Sequence, residues 1–152
     1  MTDHDRPVII TAYGTPATQG SKRHVGKGIM VEASTRTRPW RETVKYAALE
    51  AMDGRHRIET AVAVTAIFAF DRPRAHYRTG IHASELRPGV PLFPSTRNSG
   101  DLDKLLRCVC DAIVDGGVIR DDSLIVLVNA RKVWAGWTLP IPGVRITVQA
   151  IP

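Results

Sequence analysis

The chemistry this chain offers lies in five aspartates near one another in the sequence. Asp101, Asp103 and Asp111 share one stretch with apolar periodicity, and Asp121-Asp122 follow after the double glycine Gly116-Gly117. The chain before them is basic. Residues 1–100 carry fifteen Lys/Arg against nine Asp/Glu, and residues 101–152 carry six of each, so the net charge of +6 belongs to the first hundred residues. Carboxylates hold a hard cation, and basic surroundings hold phosphates. An acidic cluster inside a basic protein is the arrangement expected of a metal-dependent nuclease.

Helical phase sorts these residues. Leu102, Leu105, Leu106, Val109 and Ile113 fall on one face, and Asp103, Lys104, Arg107 and Asp111 fall on the opposite arc of about 100°. Two readings follow. In the structural one Asp101 is an N-cap, Asp103 sits favourably at the positive end of the helix dipole, Asp103, Arg107 and Asp111 form an ion-pair ladder, and Asp121-Asp122 is a polar turn. In the functional one Asp101, Asp103 and Asp122 converge on one Mg2+, which needs only two or three carboxylates beside water and phosphate oxygen. Arg107 or Lys104 then neutralises the scissile phosphate.

Composition narrows the classes. A chain of 152 residues with 43% hydrophobic and 24% charged residues suits one soluble globular domain. No apolar run approaches the roughly 20 residues of a membrane span, and Met1 to Arg6 is polar, so a cytosolic location is expected. Cys108 and Cys110 point in different directions on a helix and read as packed thiols rather than a disulfide or a zinc site. His4, His24, His56, His76 and His82 show no ligand spacing, and there is no G-x-S-x-G, H-E-x-x-H or P-loop. No nucleotide cofactor is expected.

The elements that must position these groups read as follows. Residues 8–13 form a strand, residues 14–20 a turn-rich loop, and residues 22–34 a short hairpin. Residues 39–52 form a helix capped by Thr37. Residues 60–70 form a strand with Val62, Val64, Ala66, Phe68 and Phe70 on one face. Residues 71–100 hold Arg72, Arg74, Arg78, Arg87 and Arg97 among four prolines, and read as a flexible basic flap that touches substrate. Residues 102–114 form the acidic helix. Residues 124–133 form a strand apolar enough to be central, and residues 144–151 a last strand, joined by a loop over 134–143. The order suggests an α+β single domain, a mixed sheet with two helices on one face.

The run Gly100-Asp-Leu-Asp-Lys-Leu-Leu-Arg-Cys-Val-Cys-Asp-Ala-Ile113, then Gly-Gly-Val-Ile-Arg-Asp-Asp-Ser123, resembles the RusA-like Holliday junction resolvases. Gly14-Thr-Pro16 after the first strand, with a basic run behind it, fits the same family. The resemblance implies a small α+β homodimer, of phage or prophage type, that nicks four-way DNA junctions in pairs and depends on Mg2+, with Mn2+ as a substitute. It implies metal ligation by Asp101, Asp103 and Asp122, with Asp121 adjacent, and a structural role for Asp111. The family's lysine falls at Arg107 and its asparagine at Lys104. Arg does not donate a proton at neutral pH, so Arg107 acts by charge and hydrogen bonding, and Lys104 takes part of that task. Lys22, Arg23, Lys27, Arg36, Arg38, Arg72 and Arg74 are the expected DNA contacts. The alternative on the same fold is a catalytically weak or inactive protein that binds branched DNA.

Overall fold

The computed structural model describes residues 5–20, 22–24, 26, 30–32 and 35–152. Its elements run β1 (Val8–Tyr13), β2 (Lys22–His24), β3 (Met30–Glu32), α1 (Thr37–Met52), β4 (Val62–Phe70), α2 (Leu102–Asp115), β5 (Ile125–Trp134) and β6 (Gly143–Ala150). Four strands make one mixed sheet in the order β1-β6-β4-β5, antiparallel except for the parallel β4–β5 pair. β2 and β3 form a separate antiparallel hairpin, as the sequence suggests, with Lys22 opposite Glu32.

Alternation along the strands builds the core. Val8 and Ile10 of β1, Val62, Val64, Ala66 and Phe68 of β4, and Val144, Ile146 and Val148 of β6 are buried on one face of the sheet. Trp40, Val44, Ala48 and Met52 of α1 and Leu105, Cys108, Val109, Ala112 and Ile113 of α2 pack against that face. Each such Val, Leu, Ile or Phe side chain contributes about 1.5–3 kcal/mol through burial. Both helices therefore lie on the same side, and the fold is the α+β arrangement that the sequence pattern predicts.

Three local expectations are corrected. α1 begins at Thr37, two positions before the expected start. Thr37 is inside the helix and buried, and its Oγ1 donates to the Thr18 carbonyl at 2.6 Å instead of capping. That bond ties the loop after β1 to the helix. At α2 Asp101 occupies the N-cap position with extended backbone, but its side chain makes no capping bond. The third correction concerns β5, which is not central: it pairs with β4 alone and forms the sheet edge. Val126, Leu127 and Val128 are about half exposed. An apolar run reads as a strand buried on both faces, and in the single chain nothing described covers it.

The segment 71–100 has no long element, only three short 3-10 turns and an isolated bridge between Tyr77 and Leu86. Backbone and side-chain bonds hold it. Arg78 N donates to Glu85 O, Arg87 N to His76 O, and Arg87 Nε to Tyr77 O at 2.9 Å. Trp134 at the end of β5 anchors its base. The indole donates to the Pro91 carbonyl, Arg72 stacks 5.0 Å over the ring, and His76 meets it edge-on.

Candidate active site

α2 runs back along β5, so the two acidic groups of the sequence lie at its two ends. At the N-terminal end, Lys132 on β5 donates from Nζ to the Gly100 carbonyl at 2.8 Å and to Ser99 Oγ at 3.0 Å, just before Asp101. At the other end Asp122, which precedes β5, lies close enough to Cys110 to shift its ionisation. Asp101 and Cys110 are nine residues apart on a helix that rises 1.5 Å per residue, roughly 13 Å along its axis.

At the N-terminal end, Asp101 and Asp103 are exposed. Asp101 Oδ2 pairs with Lys104 Nζ at 3.1 Å. Arg107 is also exposed, and its Nη1 lies against Gly20, where a Cβ would come within 3.1 Å. The loop before Gly20 lies on the same helix, since Gln19 N donates to the Lys104 carbonyl at 3.0 Å. Asp103 and Arg107 enter no ion pair among the described residues, so the expected ladder does not form. Asp111 bonds Gln19 instead, Gln19 Nε2 donating to Asp111 Oδ2, and Arg41 Nη1 donates to Gln19 Oε1 at 2.6 Å. Asp111 thus links α2 to the β1 loop and to α1.

At the C-terminal end, Asp111, Asp115, Asp121 and Asp122 line an open hollow of about 420 Å3 with Arg41 and Val114. Asp121 Oδ1 accepts from Ser123 N at 2.8 Å, and these bonds, with Arg120 nearby, hold its carboxyl below the usual range. Cys110 lies within reach of the charges of Asp111 and Asp122. Burial, then the negative charges of Asp111 and Asp122, push its thiol up to about 11, so it stays protonated through the neutral range.

Carboxylate oxygens are the donors Mg2+ prefers, so the chemistry of Asp101, Asp103, Asp121 and Asp122 suits that ion. Their placement within one protomer does not close a site. Among the described residues no three His, Cys, Asp or Glu side chains gather closely enough to hold a metal.

Of the expected DNA contacts, Arg72 and Arg74 lie in the 71–100 segment, where they line a cavity of about 720 Å3 with Tyr77, Arg78 and Arg87. Arg36 precedes α1 and borders a hollow with Ser99, Asn98 and Trp134, close to the start of α2. Arg38 is exposed on the first turn of α1. Lys22 and Arg23 fall on β2, but their side chains, and all of Lys27, lie outside the described residues.

Sequence reasoning missed Lys132 and Gln19. Lys132 left a signal: it is the one charge on the helix-facing alternation of β5, between Ala130 and Trp134, opposite Phe68 of β4. Gln19, buried in a loop, left none. We expect Lys132→Met to destabilise the protein by about 1–3 kcal/mol, because Ser99 and the Gly100 carbonyl lose a charged donor. A denaturant titration measures it. Gly100 has φ of +80°, and a Cβ there would strike the Thr18 methyl. Gly100→Ala should therefore cost about 2 kcal/mol, seen as a lower unfolding midpoint at unchanged slope.

No helix among the described residues is long and apolar enough to cross a membrane. No curated protein matches the chain. A family model does: Endodeoxyribonuclease RusA matches residues 13–149, from the end of β1 to the end of β6, and includes every aspartate of both acidic groups. The chain belongs to the RusA endodeoxyribonuclease family.

Proposed function

We propose that the protein is a Mg2+-dependent, structure-selective endodeoxyribonuclease that resolves four-way DNA junctions by paired nicks and works as a homodimer. The observation that carries this reading is the solvent-facing display of Asp101, Asp103 and Arg107 on the first turns of α2, in a chain of this family. Asp101 and Asp103 at the start of α2 are the assigned metal ligands; Asp122, with Asp121 beside it, lies toward the other end of that helix within one protomer and would complete the set only from the second copy of the dimer. A bound Mg2+, or Mn2+ in its place, supplies Lewis-acid activation of water and of the phosphodiester. Arg107 offers its guanidinium to a phosphate oxygen, bidentately where geometry allows. Lys104 pairs with Asp101 and orients that carboxylate.

The basic surface supplies positioning without sequence information. Arg72 and Arg74 in the loop cavity, Arg36 and Arg38 at the start of α1, and Lys22, Arg23 and Lys27 on the hairpin are the assigned phosphate contacts. Their contribution falls steeply with salt. A C2 dimer matches the local two-fold symmetry of a four-way junction, so two copies of the site address opposed strands.

The test is cleavage of a synthetic four-way junction and of linear duplex with the same sequence, with Mg2+ and with chelator. Cleavage of the junction alone, lost in chelator, supports the reading. Junction binding without cleavage under any divalent metal would leave a branched-DNA-binding protein that has lost turnover, the reading suggested by Arg at the family's lysine position.

A further inference from the structure

The acidic helix begins on a turn that its own first side chain does nothing to hold. Asp101 occupies the N-cap position of α2, yet its carboxylate makes no capping bond and is 69% exposed. A carboxylate released from the cap is free to meet a cation. Its direction must then be set through the backbone.

That backbone is held from the sheet. The Gly100 carbonyl belongs to the peptide unit that carries the Asp101 nitrogen. The unit is planar, so whatever fixes the carbonyl also fixes where Asp101 starts. Lys132 Nζ donates to this carbonyl at 2.8 Å and to Ser99 Oγ at 3.0 Å. Ser99 is buried, and its hydroxyl lies 2.7 Å from the Pro94 carbonyl and 2.8 Å from the Thr96 carbonyl. On the other side, Leu105 N donates to the Asp101 carbonyl at 3.0 Å. The peptide before the carboxylate and the one after it are therefore both pinned.

Lys132 stands on the helix-facing row of β5, half-buried between Ala130 and Trp134 and opposite the fully buried Phe68. Both of its acceptors are neutral oxygens. An ammonium brought out of water to two neutral oxygens recovers little of its hydration. What the two bonds do secure is the position of one peptide.

We propose that Lys132 is a positioning residue for metal binding: by holding the Gly100 carbonyl it fixes the Gly100–Asp101 peptide, and with it the direction of the Asp101 carboxylate. Lys104 orients the head of that side chain, and Lys132 orients its root. The inference rests on Asp101 being a metal ligand. It needs no contact of Lys132 with metal or DNA.

Mn2+ binding without DNA tests it, read by the paramagnetic resonance of the free ion. Wild type, Lys132→Met, Lys132→Arg, Asp101→Asn and the double variant Lys132→Met/Asp101→Asn are compared below their melting transitions, with folding checked by circular dichroism. Partners that orient a metal ligand are worth about 10–100-fold in metal affinity, so Lys132→Met should weaken Mn2+ binding by about tenfold or more. Lys132→Arg keeps charge and donors and should stay within about threefold of wild type. In the Asp101→Asn background Lys132→Met should change nothing further, since no ligand is left for it to direct. Binding of intact junction in chelator should be unchanged by Lys132→Met. If Lys132→Met does not fold, Lys132→Gln, polar and one atom shorter, carries the same predictions. A folded Lys132→Met that binds Mn2+ as wild type does would make Lys132 purely structural and overturn the proposal. Tighter binding, the sign expected when a nearby cation acts by charge alone, would also overturn it, as would a loss that persists in full in Asp101→Asn. A wild type that binds no Mn2+, or an Asp101→Asn variant that binds it as tightly as wild type, would remove Asp101 as a ligand and overturn both this proposal and the reading of the site.

Discussion

Replacing Asp103 by Asn lowers junction cleavage by about 10³-fold or more, the loss expected when a group serving the charge of the transition state is removed at several kcal/mol. The fold survives the change. Asp103 is exposed in the first turn of α2 and enters no ion pair among the described residues. The lost interaction with the helix dipole costs only about 0.3–1 kcal/mol. Single-turnover cleavage, thermal melting and Mg2+ titration calorimetry on the same sample separate these effects. A melting point within a few degrees of wild type, weakened Mg2+ binding and absent cleavage are the expected set. Cleavage within tenfold of wild type would make Asp103 a surface residue and leave the structural reading of the aspartates standing.

Arg107→Ala should lower cleavage by about 10²–10³-fold with a much smaller effect on binding of intact junction, because a donor aimed at developing phosphate charge acts mainly in the transition state. Arg107→Lys keeps the charge and loses the planar fork. It should recover part of the rate, and that part should be lost at high pH as the amine gives up its proton, whereas the wild-type guanidinium keeps its charge. The neighbouring Gly20 leaves the guanidinium room, so the smaller lysine is accepted without strain. Equal losses in binding and rate for Arg107→Ala would place this residue among the general phosphate contacts.

Much of the architecture was legible because single-face burial writes a period into the sequence. The alternation Val62, Val64, Ala66, Phe68, Phe70 gave β4 and its buried face, and the leucine stripe of α2 gave that helix and its solvent-facing aspartates. β5 misled for a physical reason. Apolarity on both faces reports that a strand is covered, not what covers it, and within one chain Val126, Leu127 and Val128 are open. The linear spacing of Asp101, Asp103 and Asp122 carried no information on direction either. Because α2 runs back along β5, residues that look like one cluster in sequence sit at opposite ends of the helix, with Lys132 at one end and Cys110 at the other. Side-chain pairing was the least legible. Asp101 has the position of a cap but pairs with Lys104, and Asp111 bonds Gln19 and not Arg107, because the loop after β1 lies over the helix.

Mapping the nicks on a four-way junction with each strand end-labelled in turn tests the central claim most directly. The account predicts Mg2+-dependent nicks at symmetric positions on two opposed strands, none on linear duplex, and none with Asp103→Asn. Equal cutting of junction and duplex, or single unpaired nicks at unrelated positions, would contradict it.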